Sequence, residues 1–167
     1  ENGAVIVSGL ALGCDTVAHR QALDSKGRTV AILPGPLNDV LPTKNRGLAE
    51  EIVKNNGLLI SEYLTSAKSK TELSGRYQER DRLQALYSNS IVLAASYAKN
   101  DIGNDSGSRL AMGYARDYSI PRVVIYDREI NSDNKKYDLN RQIIDEDSSV
   151  FVVSRHNKSS AASRILL

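Results

Sequence analysis

"VIVSGLALGCDTVAHRQAL", Val5–Leu23, decides the fold. An apolar run ends at Ser8, a turn carries Gly9 and Gly13, and a helical pattern follows Asp15. A continuous apolar run, unlike an alternating one, suits a strand covered on both faces. Glycine lets backbone come close to a ligand, and a helix N-terminus offers amide N–H groups with a partial positive charge. Strand, glycine turn and helix in this order form a receptor for phosphate. The spacing G-x-x-x-G is not the dinucleotide fingerprint, and no Gly-Lys-Ser/Thr follows as in a P-loop. Asp15 reads as the N-cap of the helix.

The same alternation continues outward. Apolar runs predict strands at 4–8, 29–33, 58–63, 91–96 and 122–127. Between them, helical spacing predicts helices at about 16–25, 46–55, 78–87 and 108–118. A short helix at 142–145 and a strand at 150–153 close a domain spanning 1–154. The tail 155–167 is expected to be poorly ordered or to dock elsewhere. Regular βα alternation predicts an α/β fold, a doubly wound, mostly parallel sheet of Rossmann-like type. At 167 residues the chain fits one domain with a real core.

Composition excludes several classes. The single Cys14 forms no internal disulfide, and one Cys with two distant His supplies no zinc site, so no metal is expected; no cofactor is expected either. No apolar run approaches the roughly 20 residues of a membrane span, so a cytoplasmic address and no membrane partner are expected. The net charge of +2 is too small to announce a nucleic-acid binder.

Further stretches carry ligand chemistry. "LPTKN" (41–45) sits between a Gly/Pro loop and a helix. "SEYL" (61–64) ends a strand. "YQERDRLQALYS" (77–88) places Arg80 and Arg82 at a predicted helix start. "SGSRLAMGYA" (106–115) supplies a second phosphate-style turn. In open α/β sheets, loops at strand C-terminal ends converge on one edge, where ligands bind. Two helix N-termini and two arginines suit a phosphate-rich guest.

These segments, with "SGLALGCDTVAH" (8–19), resemble the DNA processing protein A (DprA/Smf) family. Its core carries SGLARGIDxxAH, YPxxN, SEYP, FxxRNRxxxxLS and SGSLxTAxxA in that order. The likeness runs from about residue 4 to residue 127, and "YDLNRQIIDEDSSVFVV" (137–153) resembles the end of the family core. This chain has Leu12 where the family has arginine, Asp81 between the two arginines, and Leu64 where the family has proline. The resemblance also implies an earlier strand–helix unit that is missing ahead of Val5. It implies single-stranded DNA binding without catalysis, usually as a homodimer that loads a RecA-type recombinase in natural transformation and recombination. Carried over by position, the DNA-facing residues are Ser8, Gly9, Leu10, Ala11, Asp15, Asn45, Arg80, Arg82, Ser106, Gly107 and Ser108.

His19, one turn into the first helix, is expected to orient the loop by hydrogen bonding. Glu62 is expected either to be buried and bonded to the first turn or to touch ligand. Arg80 and Arg82 do not share a helix face, so one faces the cleft while the other pairs with Asp81 or Glu79, or solvates. Cys14 is expected to be a small packing residue. The competing reading is a nucleotide sensor or a phosphoribohydrolase of the related LOG type. That family's PGGxGTxxE signature, set on Gly107 and Ser108, puts Ala111 at the glutamate, which disfavours hydrolysis.

Overall fold

The computed structural model describes residues 3–98 and 106–165. They divide into two compact units, Glu1–Gln84 and Ala85–Leu167.

In the first unit, strands β1 (Val5–Ser8), β2 (Arg28–Ile32) and β3 (Leu58–Ile60) pair in parallel in that order. Helices α1 (Cys14–Asp24) and α2 (Arg46–Lys54) make the crossovers, and α3 (Lys70–Leu86) follows β3. Both crossovers end alike. Lys26 (φ 56°) after α1 and Asn56 (φ 62°) after α2 turn the chain left-handed. The next N–H, of Gly27 or Gly57, then donates to Ala22 O or Ile52 O at 2.8 Å, satisfying carbonyls that a helix end leaves open. Leu48, Ala49 and Ile52 of α2 pack with Leu10, Ala31, Leu33 and Val40 into one core.

The second unit repeats the design. β4 (Ile91–Leu93), β5 (Arg122–Ile125) and β6 (Phe151–Val153) are parallel in that order. α4 (Gly107–Asp117) connects the first pair, and α5 (Arg128–Asn131) and α6 (Asp138–Glu146) the second. Leu93, Met112, Val124, Leu139, Ile143 and Val150 form its core.

The fold is the expected parallel α/β class, realised among the described residues as two three-stranded sheets. Several boundaries differ from the sequence reading. β3 stops at Ile60 because Ser61 Oγ donates to Gly35 O at 2.7 Å and accepts from Tyr63 N at 3.0 Å, turning the chain out of the sheet. β4 stops at Leu93 because Asn140, fully buried, takes over the next backbone groups. Its Nδ2 donates to Ala94 O at 3.1 Å and its Oδ1 accepts from Ser96 N at 3.2 Å. α3 begins at Lys70 rather than near 78, so Arg80 and Arg82 lie far inside it, not at its start. The tail contains α7 (Lys158–Ile165), with Ala161 buried and Ile165 O accepting from Ser90 Oγ at 3.3 Å. β1 is an edge strand, and Val5 and Ile6 are 42% and 37% exposed, so its start is not covered on both faces.

Candidate nucleic-acid interface

β1, β2 and β3 run parallel, so their C-terminal loops share one rim of the first unit. The turn after β1 is held by contacts from four side chains, those of Asp15, Thr16, Asn45 and Arg80. Leu10 takes a left-handed φ of 62° and is wholly buried in the core. The Asp15 carboxylate accepts from Gly9 N and Ala11 N, both at 3.1 Å. Asn45 Nδ2 donates to Leu10 O and to Thr16 Oγ1, both at 2.8 Å, and Thr16 Oγ1 donates to Ala11 O at 2.7 Å. From α3, Arg80 Nη1 donates to Gly9 O at 2.6 Å and Ile32 O at 2.9 Å, tying the turn to β2. Its Nε donates to Asp81 Oδ1 at 3.1 Å, and Gln84 Nε2 to the same oxygen at 2.7 Å. Burial pushes the Asp81 carboxyl up to about 6, overcoming the pull of Arg80 and the Gln84 hydrogen bond.

This geometry corrects several expectations. Asp15 is not the N-cap; Gly13 is, with no side-chain cap, while Asp15 turns back to neutralise the loop's inward amides. Arg80 is 6% exposed and Asn45 5%, so each serves protein carbonyls rather than facing a cleft. Gly9 and Leu10 are buried as well. Glu62 does not reach the first turn: its side chain is 42% exposed, and both carboxylate oxygens accept from Arg82 Nη2 at 2.6 Å. Arg80 and Arg82 do diverge, one pairing with Asp81 inside and the other with Glu62 at the surface. Cys14 is exposed rather than packed; the protein around its sulfur and, secondly, the Asp15 carboxylate push its thiol up.

The outward side of the same turn is different. Leu12, Gly13 and Cys14 are exposed, and the first amides of α1 have no side-chain cap. Lys44 is also exposed, and it adjoins Asn45, which is pinned to Leu10 O. Sequence reasoning passed over Lys44, although it lies inside "LPTKN". It passed over Arg76 too, which is buried over the Tyr63 ring at 4.2 Å and donates to Thr65 O at 2.6 Å, fixing the loop after β3.

His19 is wholly buried and holds β2 rather than the loop. Its Nδ1 lies 2.6 Å from Thr29 Oγ1, whose own hydrogen goes to Ile6 O at 2.7 Å. Thr29 therefore accepts, which assigns the proton of the neutral ring to Nδ1. Nε2 has no partner among the described residues. Burial lowers the pKa of His19, against a smaller upward pull from Asp15. Unfolded histidine titrates near about 6.5, so below that pH the unfolded chain holds more protons and stability falls as pH falls. The difference in unfolding free energy between the protein and His19→Gln should hold above about pH 6.5 and shrink below it. Taking the difference removes Asp81, whose raised pKa works in the opposite sense, adding stability as pH falls through about 6. A difference that stays flat from about pH 8 to about pH 5 in urea titrations would refute this assignment.

The second phosphate-style turn belongs to the other unit. Ser106 is the N-cap of α4 and accepts from Arg109 N at 3.1 Å, with Ser96 Oγ 3.0 Å from its hydroxyl. Gly107 and Ser108 are exposed, and Ala111 is buried. Among the described residues no group of three His, Cys, Asp or Glu could hold a metal, and no helix is long and apolar enough to cross a membrane.

Parallel βα units with glycine and serine turns at helix N-termini define a Rossmann-like class of protein. The chain belongs to the family of DNA recombination-mediator protein A, whose family model matches residues 1–159. It is 34% identical over 119 residues to protein Smf of Synechocystis, covering 71% of this chain and 27% of that protein. It is 33% identical over 126 residues to DNA processing protein DprA of Streptococcus pneumoniae, covering 75% of this chain and 43% of that one. The X-ray structure of S. pneumoniae DprA superposes with a TM-score of 0.69 at 25% identity, over 91% of this chain and 48% of that one. A Helicobacter pylori DprA structure, described as giving insight into a single-stranded DNA binding mode, superposes with a TM-score of 0.69 at 30% identity. It covers 90% of this chain and 61% of that one. The chain thus spans less than half the length of these two curated relatives.

Proposed function

We propose that this chain binds single-stranded DNA through the sugar–phosphate backbone and leaves it chemically unchanged. One observation carries this reading: α1 opens on Gly13 without a side-chain cap while Asp15 occupies only the inward amides of the turn, and exposed Lys44 precedes Asn45, which is pinned to that turn. Outward amides and a cation attract phosphate without reading bases. In the second unit, considered by itself, Gly107 and Ser108 are exposed at the start of α4 and offer a contact of the same kind. The H. pylori relative, described as binding single-stranded DNA, supports the choice of ligand. Within this reading the chain is a cytoplasmic binding protein rather than an enzyme. It acts as a homodimer that loads a RecA-type recombinase in recombination and natural transformation, with no cofactor.

Fluorescence anisotropy with a labelled oligonucleotide at low and high salt tests the proposal. Binding should fall steeply with salt, and Lys44→Ala should weaken it alike for all sequences and flatten the logarithmic salt slope by about 1. No binding at either salt, with tight binding of a nucleoside monophosphate instead, would favour a nucleotide sensor. Release of free base from that nucleotide would make the chain an enzyme.

A further inference from the structure

We propose that the groove between α2 and the loop 33–42 docks an acidic peptide segment through one large aliphatic side chain. The groove encloses about 460 Å³ in the first unit. That is within the range of about 300–1,000 Å³ typical of ligand sites. Its floor is the margin of the core, formed by Val40, Ala49 and Leu59. Its walls are Leu37 and Val53, each 54% exposed. Two large aliphatic side chains held in water on either side of an apolar depression are the surface of an unfilled hydrophobic contact.

The walls are held in place by hydrogen bonds. Pro34, Gly35 and Pro36 are buried, Asp39 N donates to Pro36 O at 3.0 Å, and Ser66 Oγ donates to Asp39 Oδ2 at 2.7 Å. Ser61 Oγ fixes Gly35 O at 2.7 Å. A site already in shape loses little entropy on binding.

Charge selects the occupant. Arg46 and Lys54 are the first and last residues of α2, and both line the groove. At 1.5 Å of rise per residue they stand about 12 Å apart. An extended peptide covers that distance in about four residues at roughly 3.3 Å each. Arg46 has only a 3.9 Å contact with Asp39, and both side chains are about half exposed, at 51% and 45%. Glu50 lies midway along the helix and also lines the groove, so a carboxylate at the centre is repelled. The fitting pattern is acid, spacer, aliphatic, spacer, acid. A nucleic-acid strand fits less well, because it would carry continuous negative charge past Glu50 and Asp39.

The test uses the full chain and a fluorescein-labelled peptide Gly-Asp-Ser-Leu-Ser-Glu-Gly. Anisotropy should show saturable binding. Replacing the peptide leucine by serine should weaken it about fivefold or more, as loss of an interface anchor does. Replacing both peptide acids by amides, or using protein with Val53→Ser or with Arg46→Glu and Lys54→Glu together, should have a comparable effect. These side chains lie on the outer surface of α2, and an unchanged urea midpoint confirms that each variant is folded. Equal binding of the serine peptide, or undiminished binding by folded Val53→Ser, overturns the proposal. So does absence of saturation at millimolar protein, or displacement of the peptide by an equimolar oligonucleotide, which would assign the groove to nucleic acid.

Discussion

Arg80→Ala should destabilise the protein by about 3–5 kcal/mol, the usual cost of leaving one partner of a buried ion pair alone. The guanidinium is 6% exposed and gives hydrogen bonds to Gly9 O, Ile32 O and Asp81. Its removal leaves a 2% exposed carboxylate and two carbonyls without that donor. Arg82→Ala, by contrast, breaks a surface pair whose side chains are 34% and 42% exposed. Such pairs are worth about 0–1 kcal/mol. Urea unfolding of both variants separates the two roles. If Arg80→Ala unfolds within about 1 kcal/mol of the parent yet loses affinity for oligonucleotide, Arg80 is a ligand contact and its structural assignment fails. The assigned outcome is the reverse: Arg80→Ala loses binding only in step with the fraction unfolded.

Gly57→Ala should cost about 3 kcal/mol, at the upper end of overpacking effects. A Cβ there would lie 2.5 Å from Thr29 O and 2.8 Å from Ile52 O, both backbone atoms, and 2.7 Å from Ile52 Cγ2. Neither carbonyl can retreat easily. Ile52 O accepts from Gly57 N itself at 2.8 Å, and Thr29 lies in β2, whose next residues pair with β3. Gly75, inside α3, gives the contrast, since a Cβ there meets nothing within 4 Å. Gly75→Ala should stabilise by about 0.5–1 kcal/mol through helix propensity. Chemical denaturation of the pair checks both signs, and a Gly57→Ala loss below about 1 kcal/mol would show that β3 can shift to make room.

The parallel βα order was legible because apolar runs and helical spacing are local signals, and the strand–turn–helix at Val5–Leu23 was readable at once. The boundaries were harder. α3 begins at Lys70 within a polar stretch that lacks a marked apolar stripe, and β4 is cut short by a side chain far downstream in sequence, Asn140. The gathering of motif residues at the first turn was legible, and their orientation was misread. A motif shows that Asp15, Asn45 and Arg80 gather at the turn, but not which way their polar atoms point. Three-dimensional closure turned all three inward, where bare backbone groups of the turn needed partners. Lys44, whose signal is only exposure, became visible once Asn45 was seen pinned beside it.

The inward carboxylate of Asp15 has a kinetic consequence. A loop whose Gly9 and Ala11 amides already donate to the Asp15 carboxylate is held in one conformation without any external anion. Under the proposed function, capture needs no refolding of the loop, and its rate should follow diffusion and ionic strength instead of loop closure.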